Sequence, residues 1–69
     1  SSMKLLFHLD LSQNFIVDLD DSTFDELNNL NYLNLSCNFL RLIKKNLFKD
    51  LSELKILDLS LNEIYSVDD

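Results

Sequence analysis

A 24-residue repeat is the feature that most restricts how this chain can fold. When the sequence is shifted by 24 residues against itself, leucine, serine and asparagine positions coincide. The identical columns are Leu6, Leu30 and Leu54; Leu9, Leu33 and Leu57; Leu11, Leu35 and Leu59; Ser12, Ser36 and Ser60; and Asn14, Asn38 and Asn62. A fixed period of this length is typical of a solenoid, in which each repeat buries its apolar side against its neighbours. We expect repeats at approximately 6–29, 30–53 and 54–69, the last of them incomplete.

Each repeat is predicted to begin with a short strand. In Leu9-Asp10-Leu11 the apolar residues alternate with a polar one, which is the pattern of a strand with one buried face. Stacked strands of this kind form a parallel sheet, and each strand is linked to the next by a crossover of about a dozen or more residues. The apolar positions between Ile16 and Leu30 fit neither the helical nor the strand period, so we expect an irregular or short 3₁₀ return segment.

The composition argues against several classes of function. The chain has no glycine, and so it has no glycine-rich phosphate loop. A single histidine and a single cysteine cannot build a structural zinc site or an internal disulfide. The net charge of −6 argues against a nucleic-acid backbone or an anionic lipid surface as the main partner. No apolar run approaches the length of a membrane-spanning helix.

The candidate catalytic residues do not form a constellation, and we therefore predict that the chain is not an enzyme. His8 has only Asp10 and Tyr32 as possible partners on its predicted face. The repeat positions of Cys37 and His8 differ by five residues, which is roughly 16 Å along an extended strand and beyond hydrogen-bond reach. The column that contains Asp10 offers oxygen atoms to a hard cation, but two carboxylates on an open face favour a solvated column instead. No metal site or other cofactor is predicted.

An asparagine recurs where each strand is expected to end and the chain turns inward. A buried side-chain amide must find hydrogen-bond partners, and stacked amides can bond the loop backbone of adjacent repeats. We therefore interpret Asn14, Asn38 and Asn62 as a structural asparagine ladder.

The pattern Leu-x-x-Leu-x-Leu-x-x-Asn-x-Leu, completed by Phe-x-x-Leu, resembles the leucine-rich-repeat family. More narrowly, residues 6–67 resemble the typical 24-residue class of Toll-type immune receptor ectodomains and small leucine-rich proteoglycans. The resemblance implies an α/β solenoid with short parallel strands on a concave face and irregular or 3₁₀ return segments on a convex face. In that family the concave face commonly binds protein ligands.

Two features depart from the complete pattern of the family. Neither end carries a cysteine-rich cap, and only two full repeats and part of a third are present. Uncapped ends expose core, and at least three repeats are usually needed for stability. We therefore expect residues 1–69 to be a fragment of a longer horseshoe.

The variable strand positions form columns on the predicted concave face. One column is aromatic and apolar, and the next carries carboxylates and an amide. Exposed aromatic area beside fixed acceptors suits a protein partner with basic or amide-bearing contacts. The alternative is that single exposed apolar residues have no functional meaning. The residues predicted to bind protein are His8, Tyr32 and Ile56 as anchors, with Asp10, Asn34 and Asp58 as polar selectors.

Charged residues of the return segments alternate in sign from repeat to repeat. Opposite charges in adjacent repeats favour the correct register, although exposed pairs contribute only about 0–1 kcal/mol each. The predicted columns are Asp20, Lys44 and Asp68; Asp21, Lys45 and Asp69; and Asp25 with Lys49. Beside the asparagines, Phe15 is predicted to stack on Phe39, and Cys37 is predicted to be a partly exposed free thiol.

Three roles follow as alternatives. If the Toll-type resemblance extends to role, the chain is a non-catalytic protein-binding segment of an extracellular or cell-surface receptor in innate immunity. Asn34-Leu35-Ser36 is then an N-glycosylation sequon, with Asn34 as the glycan site. The other roles are a structural segment that self-associates through the open edges of strands 6–11 and 54–59, and an intracellular scaffold repeat. The expected partner is a protein, without nucleic acid or direct membrane insertion.

Overall fold

Five short strands make up the regular structure of residues 5–67, the part of the chain that the computed structural model describes. They are β1 (His8–Asp10), β2 (Tyr32–Asn34), β3 (Leu42–Ile43), β4 (Ile56–Asp58) and β5 (Ser66–Val67). Residues 5–67 contain no α-helix, so strands and turns alone build the repeats there. Within that range no helix offers the length and hydrophobicity that a membrane crossing requires.

The main sheet has the strand order β1-β2-β4, and both pairings are parallel. Leu9 lies opposite Leu33, and Leu33 lies opposite Leu57, so the strands pair in the register of the 24-residue repeat. Successive side chains of a strand point to opposite faces, and a shift by one residue would expose all three of these leucines. The prediction of short parallel strands is confirmed.

A second, two-stranded parallel sheet pairs β3 with β5, and the sequence patterns did not predict it. Ile43 lies opposite Val67, and Tyr65 N donates a hydrogen bond to Arg41 O (3.0 Å) just before the strands. Each strand is only two residues long, which is too short for an alternating pattern to be recognised. The second sheet ties the flank of the second repeat to that of the third.

The return segments are irregular chains of turns. In the first of them, Thr23 N donates to Asp20 O (3.0 Å) and Leu27 N donates to Phe24 O (3.3 Å). Bonds between residues three apart recur in this way, but no run of them forms a regular 3₁₀ helix within 11–31 or 44–55. The segments stack through Phe24 and Phe48, whose parallel rings have centroids 6.1 Å apart.

The core is concentrated in the middle repeat. Leu30, Leu33, Leu35 and Leu40 are fully buried. Leu57, the equivalent of Leu33 in the third repeat, is 38% exposed. Burial of a leucine side chain contributes about 1.5–3 kcal/mol, and this contribution is complete only where repeats cover both sides. The middle repeat therefore holds most of the apolar stabilisation.

The backbone adopts a left-handed conformation just before each ladder asparagine. The φ angles are 57° at Gln13, 58° at Cys37 and 56° at Leu61. This conformation costs a non-glycine residue roughly 1–2 kcal/mol, and the chain has no glycine to relieve it. The repeated turn places the next side chain, the asparagine, where its amide donates to the backbone carbonyl three residues earlier.

Candidate functional site

The six residues predicted to bind protein lie on β1, β2 and β4 in matching positions of the main sheet. We call this surface the exposed strand face. It consists of His8, Asp10, Tyr32, Asn34, Ile56 and Asp58. Alternation along each strand places these side chains on the opposite side from the leucines at 9, 33 and 57. The register therefore brings the predicted residues together as two adjacent columns, each crossing the three strands.

The aromatic column begins with a stacked pair. The rings of His8 and Tyr32 are nearly parallel, with an interplanar angle of 3° and centroids 4.2 Å apart. This distance is close to the spacing of paired strands, so the sheet itself sets the stack. Ile56, the third member of the column, is 55% exposed. The column thus presents a flat aromatic surface, continued by an aliphatic side chain.

The polar column has a structural role that the sequence analysis did not predict. The Oδ1 atoms of Asp10, Asn34 and Asp58 each accept a hydrogen bond from the backbone N–H two residues later, at 2.9 Å in every repeat. These Asx-type bonds end each strand in the same way. Within residues 5–67 the backbone N–H and the hydroxyl of Ser60 both donate to Asp58 Oδ1, and Asp58 Oδ2 accepts no hydrogen bond.

Hydrogen bonds also set the charge of this column. The Ser12 hydroxyl, followed by the Ser12 backbone N–H, holds the pKa of Asp10 below its ordinary value of 3.8. The Ser60 hydroxyl and backbone N–H lower the pKa of Asp58 in the same way. Both carboxyl groups are therefore ionised at neutral pH. The column offers fixed negative charge at each end, with the neutral amide of Asn34 between them.

Asn34 is bonded to the aromatic column. Its Nδ2 donates to Tyr32 Oη (3.1 Å) while its Oδ1 accepts from Ser36 N (2.9 Å). Nδ2 is also the atom that an N-linked glycan would occupy. A glycan there would project from the middle of the exposed strand face.

The asparagine at position 38 is bonded across two repeats. Asn38 Nδ2 donates to Leu35 O of its own repeat and to Leu11 O of the preceding one, both at 3.0 Å. Its Oδ1 accepts from Ile16 N (3.1 Å). The side chain is only 4% exposed, so these bonds satisfy an amide that would otherwise be costly to bury.

The other two asparagines show where this ladder continues. Asn62 Nδ2 donates to Leu35 O (2.9 Å) of the middle repeat, and its Oδ1 accepts from Leu40 N (3.0 Å). Asn14 is exposed, and among the described residues it donates only within its own repeat, to Leu11 O (2.9 Å) and Ser12 O (3.1 Å). The bonds that connect repeats are thus made by the second and third asparagines.

The return segments carry two ion pairs between the first and second repeats. Lys49 Nζ lies 3.1 Å from an oxygen of Asp25, in the predicted column, and this hydrogen bond raises the pKa of Lys49 above its ordinary value. Lys44 pairs with Asp18 at 3.4 Å, whereas the sequence alignment had placed it with Asp20. The alignment places residues by sequence position only, whereas the long lysine side chain extends to an aspartate two residues before the aligned one. Asp68 and Asp69 lie outside the described residues.

The flank after the asparagines forms a second exposed surface. Phe15 stacks on Phe39 with centroids 6.2 Å apart. Beyond this stack lies a groove of about 230 Å³, which the sequence patterns did not reveal. The residues that line the groove are Val17, Asp18, Arg41, Leu42 and Tyr65. The only sequence signal was that positions 17, 41 and 65 share a variable column.

The described residues offer no alternative site of metal chemistry. No group of three or more histidine, cysteine, aspartate or glutamate side chains within 5–67 could hold a metal ion. Cys37 is a free, half-buried thiol in the left-handed turn before Asn38.

Comparison with protein families adds one finding. The family model described as leucine rich repeat matches residues 4–64, which is most of the chain. No curated protein and no solved structure matches the chain. The family match does not distinguish the Toll-type class from other members.

Proposed function

Because this chain belongs to the leucine-rich-repeat family, we propose that it is a non-catalytic segment that binds a protein partner through its exposed strand face. Repeats of this family are typically binding modules that mediate contacts between proteins. The mechanism is recognition by a rigid surface: the backbone holds the columns in place, and the variable side chains select the partner.

The stack of His8 on Tyr32 is the observation that carries the proposal. Exposed side chains usually lose conformational freedom when a partner binds, at a cost of about 0.5–1.5 kcal/mol each. Here the sheet spacing holds both rings parallel, and the Asn34 amide donates to the Tyr32 hydroxyl. Much of that ordering cost is therefore met before binding. Tyrosine is also one of the residues enriched among those that dominate binding energy at interfaces.

The chemistry of the neighbouring column indicates what the partner carries. Asp10 and Asp58 present ionised carboxylates on either side of the Asn34 amide. A partner with arginine or lysine side chains next to an apolar or aromatic side chain would match both columns at once.

We further propose that the parent protein is extracellular, as a receptor-like recognition protein of the innate immune type. The support is the resemblance of residues 6–67 to the Toll-type repeat and the sequon at Asn34. A glycan on Asn34 would cover the exposed strand face. In a secreted chain, glycan occupancy and partner binding through this face therefore exclude each other. Ser36→Ala removes the sequon but keeps the Asn34 side chain, so it separates the two.

Selection of binders from a phage-displayed library of random peptides tests the strand-face proposal. Peptides enriched on the wild-type chain are measured against Tyr32→Ala and Asp58→Ala. Tyr32→Ala is expected to raise Kd about thirty-fold, because truncation of an anchor residue costs about 2 kcal/mol. The enriched peptides should be rich in arginine, lysine and aromatic residues.

The chain offers a matched control for the tyrosine variant. Tyr65 is exposed like an interface tyrosine but lines the flank groove, away from the exposed strand face. Tyr65→Ala should leave Kd unchanged. The proposal is wrong if Tyr32→Ala and Asp58→Ala bind the enriched peptides as well as the wild type does, or if only Tyr65→Ala weakens binding.

A further inference from the structure

We infer that the flank groove binds an acidic segment of a protein partner, in which a side-chain carboxylate lies next to an apolar side chain. This inference goes beyond the binding proposed above, because the groove and the exposed strand face are different surfaces and favour partner segments of opposite charge. The groove runs across the repeats, from Val17 of the first to Tyr65 of the third, with Arg41 of the second between them.

The middle repeat is basic, although the chain as a whole is acidic. Residues 30–53 carry four lysine and arginine side chains and two acidic ones. Residues 6–29 carry six acidic side chains and neither lysine nor arginine, and residues 54–69 carry four acidic side chains and one lysine. An acidic segment is therefore repelled by the two neighbouring repeats and attracted to the second, which supplies the arginine of the groove.

Arg41 carries a positive charge that the fold does not balance. Among residues 5–67 its guanidinium forms no ion pair and no hydrogen bond. Glu63 of the third repeat does not pair with it. Asp18, the acidic residue that lines the groove, is paired with Lys44 instead (3.4 Å). The unbalanced charge in the groove is therefore positive.

The backbone holds Arg41 beside apolar surface. Tyr65 N donates to Arg41 O (3.0 Å), and the paired residues of β3 and β5 follow directly. Tyr65 therefore lies next to Arg41 at about the 4.8 Å spacing of neighbouring strands. Val17, the equivalent residue of the first repeat, lines the other side of the groove, and Leu42 lines it as well. The groove thus offers the donors of one guanidinium among aliphatic and aromatic side chains.

A stacked pair of exposed rings lies beside the groove. Phe15 and Phe39 precede Val17 and Arg41 by two residues, and their ring centroids are 6.2 Å apart. Phe15 is 84% exposed and Phe39 is 43% exposed. One exposed phenylalanine would need no explanation, but two stacked rings next to lining residues form a continuous apolar area, which is typical of a protein contact. An apolar side chain next to the bound carboxylate would cover this stack.

The chemistry of the groove favours a carboxylate over a phosphate group. The planar guanidinium presents two parallel N–H donors, which match the two oxygens of one carboxylate. A phosphate group carries a charge of about −1.5 to −2, whereas the groove supplies one arginine and also the carboxylate of Asp18. The single negative charge of a glutamate or aspartate side chain matches the single guanidinium.

A titration with matched peptides tests the inference. The probes are acetyl-Gly-Phe-Glu-Gly-amide and the same peptide with glutamine in place of glutamate, each added to the isotope-labelled chain. Binding of such short peptides to an open groove is expected to be weak, because it has to offset the entropy cost of association; amide chemical shifts in NMR detect weak binding. The glutamate peptide should shift residues 17–18, 41–42 and 65. The glutamine peptide should bind about tenfold more weakly, since it loses a charge-assisted hydrogen bond.

Substitution of the arginine gives the second test. Arg41→Gln should abolish the tenfold preference, so that both peptides bind equally weakly. Lys45→Gln is the matched control, because Lys45 is exposed in the same repeat, does not line the groove, and its substitution changes the net charge by the same amount. This variant should keep the preference. Tyr32→Ala should also keep it, which separates the groove from the exposed strand face.

Four results would overturn the inference. They are equal binding of the two peptides to the wild type, a preference that survives in Arg41→Gln, peptide shifts that fall outside the groove, and groove shifts that follow the concentration of the chain itself without any peptide. The last result would show that a second copy occupies the groove. The NMR spectrum of each variant shows whether it is folded, and if Arg41→Gln does not fold, the two peptides on the wild type decide.

Discussion

The clearest consequence of the asparagine ladder concerns Asn38. This side chain is buried and connects the first two repeats, because it bonds Leu11 O, Leu35 O and Ile16 N. Asn38→Ala leaves Ile16 N without its acceptor, whereas Leu11 O and Leu35 O keep the Asn14 and Asn62 amides as donors. An unsatisfied buried N–H costs about 1–3 kcal/mol, and each lost hydrogen bond to a carbonyl costs about 0.5–1.5 kcal/mol. We therefore expect a total loss of about 3 kcal/mol in the free energy of unfolding.

That loss is large for a chain of this size. At roughly 0.05–0.15 kcal/mol per residue, 69 residues have a stability of about 3–10 kcal/mol. Asn14→Ala is the matched control, since Asn14 is exposed and bonds only its own repeat. Its substitution should cost less than about 1 kcal/mol. Both variants can be compared by urea unfolding followed by far-UV circular dichroism. Equal losses for the two variants would refute the account of a ladder that ties repeats together.

Two further predictions concern the left-handed turns and the strand-end carboxylates. Leu61→Gly should stabilise the chain by about 0.5 kcal/mol in urea unfolding. Glycine relieves the strain of the positive φ angle at this position, but it also raises the entropy of the unfolded chain, which offsets part of the gain. A loss of stability would contradict the strain argument. The folded-state pKa of Asp10 and of Asp58 lies below 3.8, so their contribution to stability is full above that pH and is lost as the pH falls through the folded-state values. The urea concentration at the unfolding midpoint should therefore fall as the pH is lowered below about 3.8. The fall should be smaller in Asp58→Asn, which has no carboxyl group at that position. A fall of the same size in that variant would show that the serine bonds to Asp58 do not stabilise the folded chain.

The main sheet could be predicted from the sequence because each repeat specifies the same strand and the same register independently. Leu9, Leu33 and Leu57 recur at one period, and each stands in the same alternating context. A register error would have misaligned every column at once. The family match supports the same reading of the repeat. The positions of the six face residues follow from that register with no further information.

Other features were hidden because they depend on backbone conformation or on side-chain reach. The left-handed turn occurs at Gln13, Cys37 and Leu61, three side chains with nothing in common, and no glycine marks it. The pairing of β3 with β5 involves two residues per strand. Lys44 reaches Asp18 rather than its column neighbour because a lysine side chain is long and flexible. Periodicity alone records none of these.

The Asx-type bonds form an intermediate case. The sequence places Asp10, Asn34 and Asp58 two residues before serines in every repeat, a spacing that permits a side-chain oxygen to accept the serine N–H. The column was interpreted only as a set of ligand selectors. The structure shows that one oxygen of each side chain ends its strand. Because these side chains both end a strand and are proposed to contact the partner, many substitutions that change partner choice would also weaken the fold.

Amide chemical-shift mapping by NMR tests the central claim, that the exposed strand face is the surface that a partner recognises. An enriched peptide from the library selection is titrated into the isotope-labelled wild-type chain. The account predicts that the largest shifts fall on residues 8–10, 32–34 and 56–58 together. Shifts confined to the flank groove, around Val17, Arg41 and Tyr65, would contradict it.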